Sequence, residues 1–291
     1  MKSNFEYLMK LHPCFAAGAK NYKGRVHLPV SPGCNIFCKF CKRSFNDTVN
    51  RPGVARGIIS PSEAVETVRK AVALCPDITV AGVAGPGEPL ATPYALETFR
   101  LIKKEFPDII KCMSTNGLLL PDYAEDIIEA GIDSLTVTVN AINPDIQARI
   151  CEGIVYGGKF VAGREAAEIL IANQLSGIKK ISGAGITVKV NTVLIPEINA
   201  GHVTDVAKTV AEHGASIFNI IPLIPQHGLS WCSAPDCGLI SKARTEAEKY
   251  IKVFRHCQRC RADAAGIPGS RDISRMIYIT PVIPENTFSH G

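Results

Sequence analysis

The sequence predicts an α/β fold, a partial (β/α)6 barrel of the TIM type with extensions at both ends. Three observations carry that expectation. Six short β-branched segments recur between Val26 and Ile224. Amphipathic stretches of helical period separate most of them. The chain has 291 residues, 46% hydrophobic and 20% charged, enough apolar material for one large core.

The expected strands are VHLPV (26–30), ITVAGVA (78–84), IIKCMST (109–115), SLTVTVN (134–140), ITVKVNTVL (186–194) and SIFNIIPLI (216–224). Each has the length and β-branching of a buried strand. The expected helices cover 60–75, 93–106, 123–131, 163–181 and 202–214. The first opens on Ser60, Pro61 and Ser62 with Glu63 in its first turn, a good start signal. The third and fifth close on Gly131 and Gly214, plausible C-terminal caps.

Strands alternating with helices argue for parallel β/α units, as a partial barrel or an open doubly wound sheet. In either, ligands gather at the carboxyl ends of the strands. The organisation expected is an extension at 1–24, a barrel at 25–254 and a C-terminal segment at 255–291. Beyond Gly269 a loosely ordered polar tail is expected.

Net charge is +5, mild for this length, and no basic stripe is interleaved with aromatics, so no nucleic-acid partner is expected. No apolar run reaches the roughly 18 residues of a membrane span. The first twenty residues lack the apolar core of a signal peptide, which makes a cytoplasmic location the expectation.

Eleven cysteines, an odd number at irregular spacing, do not read as a disulfide framework. In a reducing compartment, clustered cysteines bind metal or do catalysis. Cys75 and Cys151 read as small core residues, and Cys232 and Cys237 carry no assignment.

The segment after the first strand, SPGCNIFCKFCKR, offers three thiolates from one loop: Cys34, Cys38 and Cys41. Structural zinc usually takes four ligands, often as two CxxC pairs. Three cysteines holding a four-iron cluster would leave one iron open to a substrate that receives an electron. A zinc knuckle completed by a distant His or Cys is the alternative. Phe40, between the last two cysteines, would shield a cluster.

This CxxxCxφC pattern, φ being aromatic, matches the signature of the radical S-adenosylmethionine (SAM) superfamily. That resemblance implies a 4Fe-4S cluster on the triplet and SAM bound at the strand ends. The loop GVAGPGEPLA (82–91) stands where the superfamily has a glycine-rich GGEP-like stretch. Its Gly85, Gly87 and Glu88 are expected near the methionine end of SAM, glycine allowing close backbone approach. Ser114 and Asn116 of STNG, Asn140, Asn191, Thr192 and Ile224 are strand-end candidates for further SAM contacts; read singly, each is a strand-end residue.

Longer words resemble the NifB family of nitrogenase cofactor maturases. They include HPC (12–14), HLPVSPGCN (27–35), RPGV (51–54), CMSTNGLLLP (112–121), VKVNTVLIPEIN (188–199) and FRHCQRCRADAAGIPG (254–269), in order along the chain. The resemblance implies a form without the NifX-like C-terminal domain of some members. It also implies a lyase or transferase type of radical SAM enzyme acting in nitrogenase iron–molybdenum cofactor biosynthesis. Such an enzyme fuses two 4Fe-4S substrate clusters with a SAM-derived carbide and a sulfur into an eight-iron precursor. Methyl transfer from one SAM precedes hydrogen abstraction by the 5′-deoxyadenosyl radical of another. Expected partners are iron–sulfur cluster donors and downstream cofactor carrier or scaffold proteins. The alternative enzyme is another radical SAM protein with auxiliary clusters; the alternative of another class is a zinc-binding interaction module.

By the same resemblance, Cys14, His27 and Cys112 hold one substrate cluster, and Cys257 with Cys260 the second. Read alone, His27 is a core histidine and Cys112 a packing residue. Family members carry a further cysteine soon after the triplet and a Glu before the RPGV-like word. KRSFNDTVNRPGV (42–54) has neither; Asp47 is a candidate substitute oxygen ligand, with solvent or an exogenous thiol as the alternatives.

Overall fold

The computed structural model describes residues 4–15 and 17–278. Six parallel strands form its centre: β1 (Gly24–His27), β2 (Ile78–Val83), β3 (Ile110–Thr115), β4 (Ser134–Thr138), β5 (Thr187–Leu194) and β6 (Ile217–Pro222). They lie side by side in sequence order, each hydrogen-bonded to the next. This is the expected α/β radical SAM type of sheet, in partial-barrel form.

Five strands sit within the predicted β-branched runs, slightly shortened at their ends; the first, expected at 26–30, is displaced toward the N-terminus and runs Gly24–His27. Helices Pro61–Leu74, Tyr94–Glu105, Ala124–Glu129, Gly163–Gly183 and Val203–Glu212 fill the predicted intervals. Ser60 caps the first of these: its Oγ accepts from the Glu63 N–H at 3.3 Å, and Glu63 Oε2 accepts from the Ser60 N–H at 2.7 Å. Such a reciprocal cap contributes about 1 kcal/mol. The helices bury Val68, Phe99, Ile102, Ile127, Ile178, Val206 and Val210 against β-strand residues such as Val26, Ala81, Leu135 and Val188.

Helices at Pro144–Ile150 and Cys237–Ala247 are not among the expected ones, and two further departures bear on the site. The segment beyond residue 264 is part of the barrel sheet. Ala265–Ile267 pairs antiparallel with β1, and Arg271–Asp272 pairs with Ala265–Ile267. A short helix, Ser274–Ile277, follows, and Tyr278 is buried with its hydroxyl donating to the His27 carbonyl. The chain is therefore packed well past Gly269; the remainder of the expected polar tail, 279–291, lies outside the described residues.

The second departure concerns the triplet. Ile36–Cys38 is a strand of a separate three-stranded sheet with Cys151–Tyr156 and Lys159–Ala162. Cys38 is the register partner of Cys151 in that sheet. Cys151 is buried, as expected of a core residue, but it packs against a triplet cysteine and shares a thiol–thiol hydrogen bond with it. Cys75 is a core residue as expected.

Candidate iron–sulfur and SAM site

Register across the barrel decides which side chains meet inside it. His27 of β1, Gly82 of β2 and Cys112 of β3 are aligned neighbours in one row. Neighbours in a parallel row face the same side. Gly82 leaves space there: a Cβ at that position would lie 3.2 Å from His27 Cδ2. Ser114, Thr136, Thr138, Lys189 and Asn191 continue the same inner wall.

That wall bounds a cavity of ≈ 340 Å³. Cys34, Cys38 and Cys41 line it, as do Cys14, His27, Cys112, Cys257 and Cys260. All eight proposed ligands, spread over 247 positions of sequence from 14 to 260, thus border one space. All eleven cysteines are free thiols. Among the described residues no three His, Cys, Asp or Glu side chains close on a point suited to a single metal ion; the ligands stand around the wall instead. Phe40, Val83, Val193, Ile221 and Phe254 add apolar surface that limits water.

The loops carrying the triplet, GPGE and STNG are tied together. Gly87 N–H donates to the Ser31 carbonyl at 2.8 Å and Glu88 N–H to the Gly33 carbonyl at 2.7 Å. A Cβ on Gly87 would overlap the Gly33 carbonyl and lie 2.7 Å from that of Ser31. The glycine is therefore required by the triplet loop, and not only by a ligand as the sequence suggested. Glu88 is buried; its carboxylate accepts from Thr115 Oγ at 2.6 Å and from the Asn116 N–H at 2.7 Å. Asn116 Nδ2 donates to Asn35 Oδ1 at 2.7 Å, reaching back to the triplet loop. Glu88 and Asn116 line the cavity, but their polar groups hold the three loops in register.

Gly85, Ser114, Asn191 and Ile224 also line the cavity, on the strand ends where SAM contacts are expected. Asn140 and Thr192 stand outside that lining, and their side chains serve the backbone. Asn140 Oδ1 accepts from the Val193 N–H at 2.9 Å, and Thr192 Oγ donates to the Val139 carbonyl at 2.5 Å. Both satisfy backbone groups where β4 and β5 separate. Asp47 lines a second cavity, which includes Cys260 but not Cys257.

The donor set suits iron–sulfur chemistry. His27 Nδ1 lies 3.0 Å from the Arg261 carbonyl, which can only accept, so Nδ1 carries the proton and Nε2 keeps its lone pair. Metal-binding histidines are oriented in this way by an acceptor behind them. Burial, then the charge of Arg25, lowers the His27 pKa from 6.5 to about 4, so the ring is neutral at neutral pH. Burial pushes Cys14 up to about 12, with Lys189 acting in the opposite sense, and pushes Cys34 up to about 11 against the charge of Arg43. Cys38 is raised by its hydrogen bond with Cys151 and by burial. Binding iron at these thiols must release protons.

Three cavity residues lie inside the quoted sequence words, which assign them no role. Lys189 is buried; its Nζ lies 3.4 Å from the Cys14 carbonyl and over the rings of Phe15 and Phe254 at 5.6 and 5.4 Å. Arg43 is buried beside the triplet and its guanidinium hydrogen-bonds Cys34. His12 Nδ1 accepts from the Cys14 N–H at 3.1 Å, and its buried Nε2 has no hydrogen-bond partner. Two cations and a spare donor complement anionic thiolate–sulfide groups.

A pH dependence follows from His27. Its folded pKa lies below the unfolded value, so below pH 6.5 the unfolded chain binds the extra proton. Stability is expected to fall as pH drops from 6.5 toward about 4, by at most about 3 kcal/mol from this group. Denaturant unfolding of the metal-free chain checks this: His27→Gln should show a shallower loss over that interval than the parent.

Residues 28–210 match the radical SAM superfamily model. The chain is 45% identical over 278 residues to the FeMo cofactor biosynthesis protein NifB of Methanocaldococcus infernus, covering 95% of this chain and 92% of that protein. It is 46% identical over 273 residues to NifB of Methanocaldococcus jannaschii, covering 93% and 91%. NifB of Azotobacter vinelandii is 37% identical over 284 residues, 92% of this chain but 55% of that longer protein. Among solved structures, a radical SAM methyltransferase from Sphaerobacter thermophilus shares the fold with a TM-score of 0.61 at 17% identity, over 83% of this chain and 70% of that one. Barrel, triplet and full-length similarity agree that this chain belongs to the NifB family of the radical SAM superfamily.

Proposed function

We propose that the chain performs the fusion step of nitrogenase cofactor assembly: it joins two 4Fe-4S substrate clusters with insertion of a SAM-derived carbon and a sulfur. The observation that supports this best is the convergence of three ligand groups on one cavity: the triplet, the Cys14–His27–Cys112 group, and Cys257 with Cys260. As a radical SAM enzyme the chain uses SAM and a 4Fe-4S cluster, which together supply a reductively generated carbon radical when bound.

In this reading Cys34, Cys38 and Cys41 hold the resident cluster, with the Arg43 charge beside them. Gly85, Ser114, Asn191 and Ile224 line the space for SAM. Cys14, Cys112 and His27 Nε2 hold one substrate cluster, Lys189 offsetting its negative charge. Imidazole is a weaker iron ligand than thiolate, so His27 is the ligand suited to let go as the cluster is transformed. Cys257 and Cys260 hold the second substrate cluster. The apolar wall keeps water from the reacting carbon. Methyl transfer from one SAM, followed by hydrogen abstraction with a second, accounts for the carbide and places the enzyme between lyases and transferases. Iron–sulfur cluster donors and a cofactor carrier would be its protein partners.

Anaerobic reconstitution with iron and sulfide, then SAM and dithionite, tests the proposal. Both 5′-deoxyadenosine and S-adenosylhomocysteine are expected, with an extractable eight-iron product. Another radical SAM enzyme would give the first without that product. Cys257→Ala should retain SAM binding and lose precursor formation at least tenfold; unchanged precursor yield would remove the second cluster from this pair.

A further inference from the structure

A second cavity, of ≈ 480 Å³, lies behind Cys260. Five arginines line it: Arg25, Arg56, Arg261, Arg271 and Arg275. Asp47 and Asp272 are its only acidic lining residues. Asp263, buried next to it, serves two of the guanidiniums at once: Arg56 at 2.9 Å, and Arg261 through bonds of 2.7 and 3.0 Å. Five guanidiniums thus face three carboxylates, an excess of two positive charges.

One of these cations, Arg25, is withdrawn from solvent. Arg25 is 7% exposed, and its two terminal nitrogens donate to the Gly266 carbonyl at 2.6 Å and to Cys260 Sγ at 3.2 Å. Its Nε is buried without a hydrogen-bond partner. A buried donor left unsatisfied is costly and asks for an acceptor. Arg271 and Arg275 are exposed at the rim and form no salt bridge among the described residues. Guanidinium forks match oxyanions and carboxylates bidentately.

We propose that this arginine-lined cavity is a binding site for a small dianion, an oxyanion or a dicarboxylate, adjacent to Cys260. Cys260 lines both cavities, so the bound anion neighbours the second substrate cluster. That consequence rests on the function proposed above: two thiolates leave such a cluster short of ligands, and the anion site lies on the side from which another could come. Anion binding itself does not depend on it.

The test uses the full metal-free chain. Inorganic phosphate and, separately, succinate are titrated by calorimetry at ionic strength held constant with sodium chloride. Saturable one-to-one binding is expected, weakened at least tenfold in Arg271→Ala/Arg275→Ala and in Arg25→Met. The tighter of the two probes identifies the oxyanion or the carboxylate as the natural chemistry. Should Arg25→Met not fold, the rim double variant decides, because both its residues are exposed. Thermal unfolding separates site binding from general salting effects, which persist in the variants and do not saturate. No saturable binding, or equal binding in the rim variant, overturns the proposal. Loss of precursor formation with anion binding intact would instead count against the function of the neighbouring cavity.

Discussion

Replacing Cys34, Cys38 or Cys41 by Ala is expected to reduce both 5′-deoxyadenosine and S-adenosylhomocysteine to background. The three thiols come from one short segment, and no other cysteine can take over a lost position. The nearest, Cys151, is held by its own strand pairing and donates to the Gly153 carbonyl at 3.2 Å. Two thiolates leave two irons unsupported, and the resident cluster is then labile. The global fold should survive, since Cys38 belongs to a small apolar group with Ile36, Leu118, Ile154 and Leu170, separate from the main core, and Cys34 and Cys41 pack at its edge. Far-ultraviolet circular dichroism together with product assays separates the outcomes: native-like spectra with no SAM cleavage support the assignment, and retained cleavage in any one variant removes that cysteine from the ligand set.

The largest effect on stability is expected at Asp263. Its side chain is fully buried and accepts from the Arg56 N–H at 2.8 Å as well as from the guanidiniums of Arg56 and Arg261. Arg261 in turn donates to the Val49 and Asn46 carbonyls, both at 2.7 Å, and so fixes the loop that follows the triplet. Asp263→Ala leaves buried guanidiniums without their counterion, which costs about 3–5 kcal/mol. A melting temperature lower by on the order of 10 °C is expected for a chain of this size. The same change should loosen His27, whose Nδ1 donates to the Arg261 carbonyl. Denaturant unfolding of the metal-free chain checks the first effect, and iron content after reconstitution the second. A loss below about 1 kcal/mol, the size of a surface ion pair, would mean that Asp263 is not the hub.

Much of this arrangement was legible in the sequence. Buried parallel strands read as nearly continuous apolar runs, so all six were found, and Ser60 with Glu63 announced the first helix correctly. The triplet declared itself by spacing. His27, Cys14 and Cys112 did not: a lone histidine or cysteine in an apolar strand looks like packing, and only resemblance singled these out. Register supplies the missing reason, by aligning His27, Gly82 and Cys112 in one row.

Other features depended on tertiary contacts that local pattern cannot reveal. Lys189 lies between two valines of the fifth strand, where nothing in the local pattern assigns it a role, and it lines the cavity inside the barrel. Asn140 and Thr192 sit at strand ends, where ligand contacts and backbone caps have the same appearance. Ala265–Ile267 is too short and glycine-containing to register as a strand; its place is fixed by pairing with β1. Gly87 was marked for close approach to a ligand; the close approach its backbone makes is to the triplet loop.

The proposed function requires one cavity to serve three iron–sulfur groups. Iron and acid-labile sulfide per chain, measured after anaerobic reconstitution of the parent, of the Cys34/Cys38/Cys41→Ala variant and of the Cys257/Cys260→Ala variant, tests it most directly. Three clusters' worth of iron is expected in the parent, with the loss of one cluster's worth in each variant. One cluster's worth in the parent, or no loss on removing Cys257 and Cys260, would contradict it.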